Sequence, residues 1–117
     1  MDEPILNTVK SHLGIYNDDT SFDRVLITHI NSVFSNLTQL GVGPAEGYHL
    51  LDGTETWSQY PGISTDTESI RTYMCLKVAL VFDPPQMGYL VDAIKEQIKE
   101  LEWRLNVQVE TVIEEGG

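Results

Sequence analysis

Hydrophobic positions fall into four groups along the chain, and the third makes the strongest demand on the others. From Tyr73 to Phe82 every residue except Lys77 is apolar. A helix that is apolar nearly all round must be enclosed by other elements. A buried strand would carry the same run, because periodicity alone does not separate the two. Three features favour helix. Ser64, Thr65 and Asp66 are cap candidates with Glu68 behind them. Met, Leu, Ala, Lys and Arg outnumber the β-branched residues. Asp83-Pro84-Pro85 then stops the element, since proline lacks a donor and pushes its predecessor out of helical geometry. The pattern predicts a central helix from Ser64 to Phe82, with the remaining chain as its wrapping.

The other groups are amphipathic. Ile5, Leu6, Val9 and Leu13 recur at helical spacing behind Pro4 and stop at Gly14, which predicts a short first helix. Phe22, Leu26, Ile30, Val33, Leu37 and Leu40 form the clearest stripe, starting at Thr20 or Ser21 and ending at Gly41-Val42-Gly43-Pro44. A fourth helix is predicted from Met87 to Leu105. Leu90, Ile94, Ile98, Leu101 and Leu105 make its narrow seam, with Met87, Val91 and Trp103 beside it. Lys95, Glu96, Lys99, Glu100, Glu102 and Arg104 decorate the rest, either as a solvated face or around a seam that packs on another subunit.

Two segments stand outside this pattern. Residues 41–63 hold five glycines and two prolines. A loop this long in a compact domain is often functional. One short helical turn is expected near residues 54–60. Tyr48, Trp57 and Tyr60 on this loop either fold back over the core or anchor a partner, as aromatics do at interface centres. In residues 106–117, Val107, Val109 and Thr111 alternate with Gln108 and Glu110, which reads as strand rather than helix. Such a tail is either a frayed terminus or an extended arm, with Val107, Val109, Val112 and Ile113 as its contact residues, that orders on a neighbour. Its removal is expected to leave helicity nearly unchanged. The expected organisation is an all-α domain over residues 1–105, two longer outer helices and a short N-terminal one around the buried central helix, followed by an extended C-terminal tail.

Charge narrows the function. The 117 residues carry 18 acidic against 7 basic side chains, a net charge of −11. That balance opposes gripping phosphates, which needs clustered Lys and Arg, but not surrounding DNA without gripping it. The lone cysteine, Cys75, has no disulfide partner within the chain and lies in the most apolar run, as a buried packing residue would. Met1-Asp2-Glu3-Pro4 is acidic where a secretory signal is basic, and no apolar run reaches the roughly 18 residues of a membrane span.

Nor is there a pattern that carries chemistry. His12, His29 and His49 sit on three separate predicted elements without metal-ligand spacing. Asn17 to Asp23 faintly resembles a calcium loop but lacks its glycine and has Thr28 where the bidentate acid belongs, so helix capping is the expected role. Gly41-Val42-Gly43 lacks the third glycine of a dinucleotide turn, and Gly62-Ile63-Ser64 does not complete a nucleophile elbow. No enzyme, no cofactor and no metal site is expected.

Taken in order, several segments carry a resemblance. They are Val9-Lys10-Ser11-His12-Leu13-Gly14-Ile15, the Asp-rich turn into Phe22-Asp23, Leu37-Thr38-Gln39-Leu40-Gly41-Val42-Gly43-Pro44, Thr56-Trp57, Phe82-Asp83-Pro84-Pro85, and Ile98-Lys99-Glu100-Leu101-Glu102-Trp103-Arg104-Leu105. Together they resemble the head–tail connector (adaptor, or head-completion) proteins of tailed bacteriophages of Gram-positive bacteria. The resemblance spans nearly the whole chain, and none of its motifs is a catalytic signature. It implies a small all-helical virion neck subunit, made in the host cytoplasm, that forms a commonly dodecameric ring beneath the portal. It also implies a platform for a stopper or tail-completion protein, a channel through which DNA passes without sequence-specific binding, and no membrane. A monomer in solution that forms its ring on the portal fits the charge. The alternative from another class is an acidic DNA mimic that blocks a nucleic-acid-binding protein, although Lys95, Lys99 and Arg104 interrupt the acids of the last helix.

Overall fold

The computed structural model describes residues 3–61 and 67–116, without the side chains of 108 and 110–116. Four helices follow one another: α1 (Ile5–Leu13), α2 (Asp23–Gln39), α3 (Thr67–Phe82) and α4 (Gly88–Gly116), with one 3-10 turn at Trp57–Gln59. Packing is organised around α3, which lies against each of the other three helices. The cap candidates Ser64, Thr65 and Asp66 lie outside the described residues.

Local chemistry sets the helix ends. Pro4 precedes α1 with φ −58°, and Gly14 closes it in the left-handed region at φ 78°. After α2 the chain makes a paired C-terminal turn. Gly41, at φ 88°, donates its N–H to Thr38 O, and Val42 N–H bonds back to Leu37 O at 2.9 Å. A left-handed residue in this position satisfies carbonyls that the helix leaves unpaired. Of the predicted stripe of α2, Leu26, Ile30, Val33 and Leu37 are buried, joined by Phe34, while Leu40 is half-covered and Phe22 stays 41% exposed; each buried side chain contributes roughly 1.5–3 kcal/mol by leaving water.

Two expectations need correction. The tail is not extended: α4 runs on through residues 106–116 without a break at Leu105. Adding residues to an existing helix avoids the cost of nucleation, so the alternation of Val107, Val109 and Thr111 does not prevail. Tertiary contacts assist, because Asn106 Nδ2 donates to Leu40 O at 3.2 Å and Val109 packs on the core beside Gly41. Nor is α3 enclosed throughout. Ile70, Tyr73, Met74, Cys75 and Val78 are buried, but Leu76, Ala79 and Leu80 are half-covered and Val81 is 63% exposed. The 29-residue α4 is about 43 Å long at 1.5 Å per residue, and the longest dimension of the molecule is 46 Å.

Candidate interaction surface

The aromatic loop folds inward. Trp57 and Tyr60 are each only 2% exposed, and Tyr48 is half-buried. Phe34 of α2 meets Tyr48 and Tyr60 at ring-centroid distances of 5.1 and 4.9 Å, and these two tyrosines lie 5.3 Å apart. Gly43 makes room for the cluster, since a Cβ there would stand 2.7 Å from Tyr60 Oη. Trp57 donates its indole N–H to Thr8 Oγ1 at 2.8 Å, and the Arg71 guanidinium lies 5.3 Å from its ring centre. The backbone joins in: Ile5 N–H bonds to Glu55 O, and Trp57 N–H to Glu3 O. The loop is thus strapped to α1, and of the two readings of its aromatics the fold-back one describes their side chains. Burial pushes the Tyr60 phenol up to about 12.

The C-terminal candidates are placed differently. Val107 and Val109 are half-buried on α4. Val112 and Ile113 lie on the same helix, their side chains outside the described residues. Among the described residues, the loop aromatics are thus packed on Phe34 and α1, whereas Val109 of the tail packs beside Gly41.

Another set of side chains is uncovered instead. Of the predicted seam, Ile98, Leu101 and Leu105 are buried within the subunit, Ile94 is half-buried and Leu90 is 42% exposed. Trp103, expected beside that seam, is 68% exposed, and Tyr89 is 69% exposed. Val81 in the last turn of α3, Met87 just before α4, and Phe22 and Val25 at the start of α2 are exposed as well. Phe22 meets Phe82 edge-on at 5.4 Å. Around Trp103 the charges are paired: Lys99 with Glu96 at 3.9 Å, and Arg104 with Glu100 at 3.0 Å. Sequence reasoning missed this surface because the outer stripe of α4 mixes Tyr89 and Trp103 with glutamates. Its only sequence signal was the heptad spacing of those residues.

Among the described residues no three His, Cys, Asp or Glu side chains are placed to hold a metal ion. Cys75 is buried, which pushes its thiol up to about 11 and suppresses the nucleophilic thiolate. The Asn17–Asp23 turn is already occupied by an internal cation. The Lys10 ammonium, on a side chain 1% exposed, donates to Asp23 Oδ1 at 2.8 Å and to Asn17 O at 3.0 Å. Among the described residues no helix is long and apolar enough to cross a membrane.

This is a small all-helical chain that leaves large apolar side chains such as Tyr89 and Trp103 uncovered on its helix faces. It belongs to the phage connector protein family, whose model matches residues 5–112. That makes it a structural part of the phage neck and a virion component. No curated protein and no solved structure matches the chain.

Proposed function

We propose that the chain is the repeating subunit of a ring that sits beneath the portal, prolongs the DNA exit channel and docks the next neck or tail-completion protein. The observation that carries this reading is the combination of uncovered Val81, Met87, Tyr89 and Trp103 with a net charge of −11. The apolar side chains call for neighbours, and the charge keeps free subunits apart until a template gathers them. An acidic channel wall also suits passing DNA, because a basic lining would retain phosphates. In this reading the C-terminal part of α4, residues 106–116, reaches the portal through Val107, Val112 and Ile113, while Val109 holds it to the core beside Gly41. Tyr48, Trp57 and Tyr60 hold the shape of the loop presented at one ring face.

The test is to mix the purified chain with the portal protein of the same phage and image the product. The expected outcome is a ring of copies seated on the portal. A chain that leaves the portal bare and instead competes with DNA for a nucleic-acid-binding enzyme would replace this reading with that of a DNA mimic.

A further inference from the structure

The ring reading leaves open which faces of two copies meet, and charge together with shape selects a pair. The outer stripe of α4 steps by four, three, four, three and four through Tyr89, Ala93, Glu96, Glu100, Trp103 and Val107. This is the spacing with which one helix presents side chains to another. Residues 95–104 contain three basic and three acidic side chains, so the stretch around Trp103 is neutral within a chain of −11. The indole stands out from that neutral ground at 68% exposure.

On α2 the outward face offers a counterpart. No acidic residue occurs between Asp23 and Glu46. Val25, Thr28, Ser32, Ser35 and Gln39, all exposed, make this face polar and free of acids, with the exposed cation Arg24 at its N-terminal end. Toward its C-terminal end the face opens into a depression of about 400 Å³ lined by Ser35, Thr38, Gln39, Glu46, Tyr48 and His49. Copies this acidic repel one another wherever acid meets acid. The neutral stretch of α4 and the acid-free face of α2 avoid that opposition, and Glu46 at the depression suits the cations Lys99 and Arg104 that flank Trp103.

We propose that Trp103 of one copy seats in the depression between the C-terminal half of α2 and residues 46–49 of the next copy, its indole N–H donating to the side-chain oxygen of Gln39 or Glu46. The two surfaces differ, so the contact is head-to-tail, the kind that repeats around a ring when its rotation closes. A buried Trp is a frequent energetic centre of such contacts. The inference rests on the ring reading and adds the residues that would make the joint.

Single-cysteine exchange tests it with the full chain. Copies carrying Glu100→Cys, one turn from an intact Trp103, are mixed with copies carrying Gln39→Cys, both on the portal and alone in molar salt, where the Debye length falls to about 3 Å. Cys75, buried, stays in place. The expected result is a disulfide between residues 100 and 39 of different copies within the ring. Trp103→Ala, at an exposed position, should fold as before by circular dichroism yet weaken ring formation by about tenfold or more. Rings that form while the cysteine pair gives no 100–39 disulfide, and a Trp103→Ala chain that assembles within about twofold of wild type, would overturn the joint and leave the ring standing. Cross-linking of residue 100 to the portal alone would overturn it too. Failure of the wild-type chain to form a ring under either condition would overturn the ring reading, and the joint with it.

Discussion

Lys10 is the side chain whose surroundings say most about how this molecule is held together. Its aliphatic stem is buried with α1 and its ammonium neutralises Asp23 across the turn that leads into α2. Removing one partner of a buried pair strands the other, but Asp23 keeps 28% exposure and can recover some hydration. Lys10→Ala should therefore destabilise the fold by about 3 kcal/mol, and Lys10→Met by less, because the methionine keeps the apolar stem. Urea unfolding of the two variants checks the order. Tyr60 gives a pH-dependent prediction. The folded phenol is pushed up to about 12 by burial, whereas an unfolded tyrosine ionises near 10. Its contribution is thus fully present below about pH 10 and is lost as pH rises toward 12. Tyr73 shifts the same way, through burial first and then through its hydrogen bond to Glu102 and that carboxylate's charge. Since Tyr60 Oη is buried without a hydrogen-bond partner among the described residues, Tyr60→Phe should leave neutral-pH stability unchanged or raise it by up to about 1 kcal/mol. It should also flatten the alkaline limb in thermal melts followed against pH.

At the scale of elements, α4 and the loop before α3 separate what the chain reveals locally from what it does not. Deleting residues 106–117 removes the helix of residues 106–116 and the Asn106–Leu40 hydrogen bond. Circular dichroism should fall in proportion to about three lost turns, where an extended tail would have left it unchanged. Gly43→Ala should cost more than about 1–2 kcal/mol, because the residue sits at φ 87° and its new Cβ would press on Tyr60 Oη; the shift of the urea midpoint measures it. The stripe of α2 and the all-apolar run of α3 were readable because repeated spacing within one segment encodes a helix and its buried face. Gly14 and Gly41 were readable as stops because few other residues tolerate the left-handed turn they adopt. The tail misled because Val107 and Val109 suit a strand in isolation, while contacts with Leu40 and Gly41, distant in sequence, favour continuing the helix. Lys10 gave no local sign of burial, because its partner Asp23 is supplied by another element. The exposure of Trp103 was hidden for a related reason. Whether α4 turns residue 103 or residue 101 toward α3 depends on the phase of a helix whose polar and apolar stripes overlap.

The whole molecule joins a covered interior to an uncovered rim. The inner halves of α1, α2 and α4 enclose the first part of α3, while the later part of α3 and the outer stripe of α4 remain open. On the proposed ring reading, neighbours would cover that rim, while a charge of −11 would keep free copies apart. Membership of the phage connector family fits that balance. The most direct test of the central claim is cryo-electron microscopy of the purified chain mixed with its portal. The account predicts a closed ring of copies, coaxial with the portal channel, in which the outer stripe of α4 is covered by an adjoining copy. Single copies bound at scattered points on the portal, with Tyr89 and Trp103 still facing solvent, would contradict it.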